Sequence, residues 1–163
     1  MDILTDADVI RIAGLPLHPL LVHATVVLTP LTALAVALTA LWPAARRRLG
    51  PAPPIAAFLV ALLVPATVIT GQDLARLIGR NALVEHHEEL GLLLVPWAIA
   101  LLPAAVAAWA VDRLPPRMRR RRPRLIRLIR IVAPAAAVVT AMGTLVIVVL
   151  TGEAGARAVW QGV

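Results

Sequence analysis

Histidines and carboxylates are the side chains of this sequence that could do chemistry. The histidines are His18, His23, His86 and His87, and two of the acids, Asp73 and Glu153, follow long apolar stretches. Imidazole is a common ligand of haem iron, and imidazole combined with carboxylate suits zinc, iron or copper(II). Cysteine is absent, which excludes disulfides, thiolate metal sites and covalent c-type haem attachment.

The composition predicts that lipid surrounds most of the chain. Of its 163 residues, 60% are hydrophobic and 15% are charged, so there are too few polar side chains to cover a soluble domain. A helix that crosses a bilayer core needs about 20 apolar residues. Three apolar stretches reach this length, and a fourth, at 55–70, is shorter. Together they predict an all-α, four-helix transmembrane bundle, a single domain over residues 1–163, with spans at about 20–42, 55–73, 90–111 and 131–151. We expect the short second span to continue as helix to Ile78.

The arginines predict the orientation of the bundle. Twelve of the 16 basic residues lie in two linkers, at 46–48 and 113–130. The positive-inside rule places both linkers in the cytoplasm. This predicts an up-down-up-down arrangement in a bacterial inner membrane, with both termini extracytoplasmic. The arginine run has no interleaved aromatic residues, which favours phospholipid headgroups over nucleic acid as its neighbour.

The sequence also reads as two similar hairpins. The first runs from His23 through the first arginine linker to Thr70, and the second from His87 through the longer linker to Thr151. Both have the same orientation, which implies a pseudo-two-fold axis along the membrane normal. The first and third helices are then diagonal, so we expect His23 to face His87 across the core. The sequence leaves open whether His86 or His87 faces the bundle.

The polar residues are predicted to meet at the end of the bundle opposite the arginines. We expect His18 to be the N-cap of the first helix and His87 to lie just before the third. Asp73 is expected after the apolar part of the second helix, and Glu153 after the fourth helix. His18 and His23 are about 140° apart around a helix, so they need not share a ligand. The candidate cofactor-binding residues are His23, His87 and His18, and the candidate metal ligands are His23, His87, Asp73 and Glu153.

Several short motifs resemble a bacterial membrane family. The run GLPLHPLLVH (14–23), the segment TGQD (70–73), the motif HEELG (87–91) and the terminal TGEAG (151–155) are similar to the family known as domain of unknown function 2231. Glu153 stands where that family commonly has a histidine. Relatives of the family are sometimes joined to Rieske or cytochrome c modules. The resemblance therefore implies a respiratory or redox setting with redox partner proteins.

Three hypotheses follow from these residues. The first is a b-type haem or electron-transfer subunit with His23 and His87 as axial ligands. The second is a divalent metal or ion site at the outer mouth of the bundle. The third is a structural or assembly subunit that binds no cofactor. Motifs of serine hydrolases, zinc proteases and nucleotide-binding enzymes are absent from the sequence, which favours a role other than catalysis.

Overall fold

The computed structural model of the chain describes residues 11–12 and 14–161. A small antiparallel hairpin of two-residue strands comes first, and helices follow to the end of the described chain. The elements are β1 (Arg11–Ile12), β2 (Leu15–Pro16), α1 (Leu17–Leu41), α2 (Pro43–Leu49), α3 (Ala52–Ile78), α4 (Ala82–Ala110), a 3₁₀ turn (Val111–Arg113), α5 (Pro116–Arg121) and α6 (Pro123–Trp160).

Helices α1, α3, α4 and α6 are each long and apolar enough to cross a membrane. At 1.5 Å per residue, the 25 residues of α1 extend about 37 Å and the 38 residues of α6 about 57 Å. Both exceed the roughly 30 Å of a bilayer core. The prediction of an all-α, multi-pass membrane protein is confirmed at this level, and α3 continues to Ile78 as expected.

The helix ends differ from the prediction at the polar positions. Helix α1 begins at Leu17, so His18 lies in its first turn and is not the N-cap. Helix α4 begins at Ala82 after Asn81, whose Oδ1 accepts hydrogen bonds from the Leu83 and Val84 amides, both at 3.0 Å. His87 is therefore inside α4. An Asn directly before a helical stretch is a strong N-cap signal, and it outweighs the point at which the apolar run starts.

Glu153 lies inside α6 rather than after it, and Asp73 lies in the extension of α3 that was expected to reach Ile78. A charged side chain limits how far a segment can lie in hydrocarbon, but it does not interrupt backbone hydrogen bonding. A helix can therefore continue for several turns past the end of its apolar stretch.

Small side chains fill the interior and large ones cover the outside. One buried cluster is built mainly from alanines, with Val36 and Leu101 as its larger members. Thr25, Thr29 and Thr32 are buried along one face of α1, and the hydroxyls of Thr25 and Thr67 are hydrogen-bonded at 2.8 Å. Small and hydroxyl residues allow close helix packing in lipid, where burying apolar surface gains little. Most of the leucines of the spans are not buried, as lipid contact requires.

The four long helices form a ring of neighbours. Helix α1 packs against α3 and α6, and α4 packs against the same two helices, whereas α1 and α4 share only a small contact. Helices α1 and α4 are therefore diagonal, as we expected for the first and third spans. Residues from these two helices can face each other only across the middle of the bundle.

Arg46 joins the two diagonal helices at the arginine-rich end. Its guanidinium donates to the carbonyls of Thr39 and Ala40 at 2.8 and 3.0 Å, and to Asp112 Oδ2 at 2.9 Å. The carbonyls at the C-terminus of a helix have no partner within the helix. Arg46 thus caps α1 and ties it to the segment that follows α4, in addition to contributing to the charge of the linker.

Trp97 lies against a glycine of the neighbouring helix. A Cβ atom at Gly143 of α6 would overlap the six-membered ring of the Trp97 indole. The Thr144 hydroxyl, one residue further, lies 3.4 Å from the Trp97 carbonyl. Trp97 therefore has a packing role, and Gly143 allows α4 and α6 to approach closely.

Replacing Gly143 by alanine should destabilise the bundle. Gly143→Ala forces the Trp97 ring out of place, and overpacking of this kind costs about 1–3 kcal/mol. The free energy of unfolding can be measured in detergent micelles by titration with a denaturing detergent and circular dichroism. Gly152→Ala is the matched control, because a Cβ there meets no atom within 4 Å. Equal effects of the two substitutions would contradict the assigned role of Gly143.

Candidate functional site

A cavity of about 90 Å³ lies where α1 and α4 begin and α3 and α6 end. Its walls are mostly apolar, with valine and leucine side chains from all four long helices, and it is open on one side. Two of the four histidines, His18 and His87, line it, together with Gln72 and Glu88. This cavity is the place in the described chain where ionisable side chains of the diagonal helices meet.

His18 is held by two contacts with α3. Its Nδ1 lies 3.0 Å from the carbonyl oxygen of Thr67, and since a carbonyl can only accept, Nδ1 carries the hydrogen. Its ring edge rests on Gly71, where a Cβ would lie 2.7 Å from Cε1 of the imidazole. In the neutral ring this arrangement leaves Nε2 with a free lone pair.

His87 repeats this arrangement on α6. Its Nδ1 lies 2.9 Å from the carbonyl oxygen of Thr151, and a Cβ at Gly155 would lie 2.9 Å from its Cε1. In both cases the glycine follows the accepting threonine by four residues, one helical turn. Each histidine therefore occupies a notch formed by a backbone carbonyl and a glycine, which has no side chain, on a neighbouring helix. When the imidazole is neutral, its Nε2 is available as an acceptor or metal ligand.

His23 does not face His87. It is exposed, and its Nδ1 lies 2.6 Å from the carbonyl oxygen of Pro19 in its own helix. His18 and His23 differ by about 140° around α1, so only one of them can point into the bundle, and the structure places His18 there. The expectation that His23 and His87 meet across the core is corrected accordingly.

The structure separates the roles of the adjacent histidines His86 and His87. His86 is exposed, and its Nδ1 lies 3.9 Å from Oε2 of Glu89 on the same face of α4. His87 is half-buried and lines the cavity. The question that the sequence left open is therefore decided in favour of His87.

The four predicted metal ligands are not brought together. Asp73 pairs with Arg76 at 3.1 Å, and Glu153 pairs with Arg157 on the next turn of α6. Among residues 11–12 and 14–161, no group of three or more histidine, aspartate or glutamate side chains is arranged to hold a metal ion. Each acid has an arginine partner within its own helix, which explains why neither turns toward the histidines.

Glu88 closes the rim of the cavity. Its carboxylate accepts hydrogen bonds from Gln72 Nε2 at 3.0 Å and from Arg80 at 3.3 Å, and the side chain is 18% exposed. Glu88 thus connects the end of α3 to the first turns of α4 beside His87.

The glycines and carbonyls of the notches were missed in the sequence. Gly71 and Gly155 both lie in the short motifs TGQD and TGEAG, but these motifs pair Gly71 with Gly152 when they are aligned by their first letters. The signal that could have identified them is the four-residue spacing from Thr67 to Gly71 and from Thr151 to Gly155. Every residue has a backbone carbonyl, so the residue types do not show which carbonyls accept hydrogen bonds from the histidines.

Comparisons with known proteins assign nothing further to this site. No family model, curated protein or solved structure matches the chain.

Adding a methyl group to either notch should displace its histidine. Gly71→Ala and Gly155→Ala each place a Cβ within 3 Å of an imidazole atom, so the ring must move and its bond to the threonine carbonyl is strained. We expect each to lower the free energy of unfolding by about 1–3 kcal/mol, measured as for Gly143→Ala. In ¹⁵N-histidine spectra the substituted side should lose its Nδ1–H tautomer signal, whereas Gly152→Ala should keep both. Unchanged spectra in all variants would contradict the notch geometry.

Proposed function

We propose that this protein is a membrane-embedded b-type haem subunit of an electron-transfer system, in which His18 and His87 would hold the haem iron. One observation carries the proposal. Two imidazoles from diagonal helices line a single cavity, and each has its Nδ1–H held by a backbone carbonyl. Histidines that bind metals commonly donate their second ring N–H in this way, which orients the ring and leaves the other nitrogen for the metal.

The number of donors favours haem over a bare ion. A bare zinc ion takes three or four protein ligands, and the described residues offer no such group. Haem brings four nitrogen ligands of its own, so two imidazoles complete the coordination of its iron. Bound haem would supply a one-electron carrier, because its iron cycles between the ferric and ferrous states. The residues of this chain would bind the iron, fix the orientation of the imidazoles and surround the site with apolar side chains.

The space around the histidines sets a condition on this proposal. The cavity of about 90 Å³ is smaller than the roughly 300–1,000 Å³ of typical cofactor pockets. The donors fit haem iron, whereas the porphyrin requires the helix ends to separate on the open side of the cavity.

The proposal includes a two-hairpin repeat with a revised register. We infer that His18 corresponds to His87, Thr67 to Thr151 and Gly71 to Gly155. The burial pattern supports this pairing, since buried residues lie 7, 11, 14, 18 and 21 positions after each histidine. In α1 these are Thr25, Thr29, Thr32, Val36 and Thr39, and in α4 they are Leu94, Ala98, Leu101, Ala105 and Ala108.

The second helices of the two hairpins follow the same register. Buried residues lie 18, 14, 11 and 7 positions before each glycine of the notches. In α3 these are Pro53, Ala57, Val60 and Val64, and in α6 they are Ala137, Ala141, Thr144 and Val148. Only the linkers then differ in length between the hairpins.

The proposed topology is an up-down-up-down bundle in a bacterial inner membrane. The contacts of His18 with the end of α3 and of His87 with the end of α6 support antiparallel neighbours. The arginine linkers support a cytoplasmic position for the opposite end. The termini are proposed to be extracytoplasmic, although residues 1–10 and 162–163 lie outside the described part. Membership of the family known as domain of unknown function 2231, and its redox partners, belongs to the same proposal.

Absorption spectroscopy tests the haem function. The protein, expressed with ample haem supply and purified in detergent, should show a Soret band that shifts on dithionite reduction, together with a sharp α band at near-stoichiometric intensity. His18→Ala and His87→Ala should each abolish the six-coordinate spectrum. His23→Ala and His86→Ala are matched controls on the same helices, because both side chains are exposed, and they should retain it.

A different pattern of spectra would overturn the assignment. Loss of haem in His23→Ala with retention in His18→Ala would mean that the wrong pair had been chosen. To separate ligand loss from misfolding, size-exclusion profiles of the variants are compared, and exogenous imidazole is added to the alanine variants. Imidazole should restore the six-coordinate spectrum where only the ligand is missing.

A structural role is the second candidate, and the notches themselves favour it. Each histidine already joins two helices through a hydrogen bond and a close ring–glycine contact, and the cavity beside them is small. A subunit of this kind stabilises a membrane complex without a cofactor. It predicts a featureless spectrum, with lower unfolding stability in His18→Ala and His87→Ala but not in His23→Ala.

A further inference from the structure

A second concave surface lies between α4 and α6 at the arginine-rich end of the bundle. It is an apolar groove of about 490 Å³, more open than the histidine cavity, and we call it the α4–α6 groove. Its walls include Ala100, Pro103 and Ala107 on α4, and Leu128, Val132 and Ala136 on α6. Ala107 and Ala136 are exposed, so the groove faces the surroundings of the bundle rather than its core.

The groove has the length and polarity of a site for an acyl chain. Its wall on α6 extends from Leu128 to Thr140, which is about 18 Å at 1.5 Å per residue. This is roughly half of a bilayer core of about 30 Å. Both helices that form it are membrane-span candidates, so the groove lies at the depth of the lipid tails and begins near the headgroups.

The charge at the arginine-rich end of the groove indicates which kind of lipid headgroup would bind there. Residues 113–130 hold nine arginines, and Asp112 is the nearest acid. In α6, Arg124 precedes Leu128 by four residues, so it lies one turn before the α6 wall on the same face. Side chains of a helix tilt toward its N-terminus, which directs Arg124 away from the tails and toward headgroup level. Guanidinium binds phosphate through paired charge-assisted hydrogen bonds.

We propose that the α4–α6 groove binds an anionic phospholipid, with one acyl chain between the two helices and the phosphate at Arg124. The arginine linker is then more than a topology signal. The apolar groove accommodates a lipid acyl chain. The excess of arginine over acid at the end of the groove favours a negatively charged headgroup over a zwitterionic one. This site is independent of the histidine cavity, which lies at the opposite end of the bundle.

Native mass spectrometry of the full chain in detergent tests the proposal. The protein is titrated with phosphatidylglycerol and, separately, with phosphatidylcholine of the same acyl chains. We expect phosphatidylglycerol to bind about fivefold more tightly. Both lipids offer a phosphate, but phosphatidylcholine adds a choline cation that the arginines repel, and one basic residue near anionic lipid is worth about 1 kcal/mol. Arg124→Gln should remove this preference, whereas Ala136→Leu should weaken both lipids by filling the groove from an exposed position.

Two matched variants control for general effects. Arg130→Gln removes the same charge from an exposed position of α6 that does not line the groove, and Ala135→Leu adds the same side chain at the adjacent exposed position. Both should bind lipid as the natural chain does. Equal losses in Arg124→Gln and Arg130→Gln would overturn the site in favour of general attraction to the arginines. Unchanged lipid binding in Ala136→Leu, with a dimer converted to monomer, would assign the groove to a second copy of the chain.

Discussion

Close approach between helices is the constraint on which the rest of this structure depends. In lipid, apolar side chains gain little by leaving their surroundings, so helices associate through tight packing and hydrogen bonds. Three aromatic rings, those of Trp97, His18 and His87, each rest on a glycine of a neighbouring helix. Two of these contacts also carry a hydrogen bond to a carbonyl. The same contacts that hold the helices together thus orient the candidate ligands.

The two ends of the bundle use polar groups in different ways. At one end Arg46 caps α1 and reaches Asp112, while many other arginines there are exposed. At the opposite end Asp73 and Glu153 pair with arginines of their own helices, and Glu88 accepts hydrogen bonds from Gln72 and Arg80. These three carboxylates are therefore paired locally. The imidazoles are left as the distinctive polar groups of the histidine cavity, which suits a redox ligand site or a tie between helices better than a site for a bare cation.

The prediction from the sequence succeeded where long apolar stretches carry the information and was weaker where single residues do. The all-α class and the four long helices follow from hydropathy, and the extension of α3 to Ile78 followed from its apolar spacing. The start of α4 was misjudged because the Asn81 cap, rather than the first apolar residue, begins the helix. The expectation that His23 faces His87 across the core was wrong, and His18, the third candidate cofactor-binding residue, lines the cavity with His87 instead. The difference between His18 and His23 is a rotation around α1, which hydropathy does not measure.

The sequence by itself determined that this chain needs lipid, where its helices run and how its charge is divided between the ends, because composition and the order of residues decide these properties. Only the tertiary structure decided that His18 rather than His23 shares a cavity with His87, and that Gly71 and Gly155 are the positions that admit their rings. The physical reason is that a notch is formed by the backbone of another helix. The carbonyls of Thr67 and Thr151 accept those hydrogen bonds, and every residue type has a carbonyl. The role of these two carbonyls depends on which helix lies beside them and on where along the bundle axis its histidine is placed.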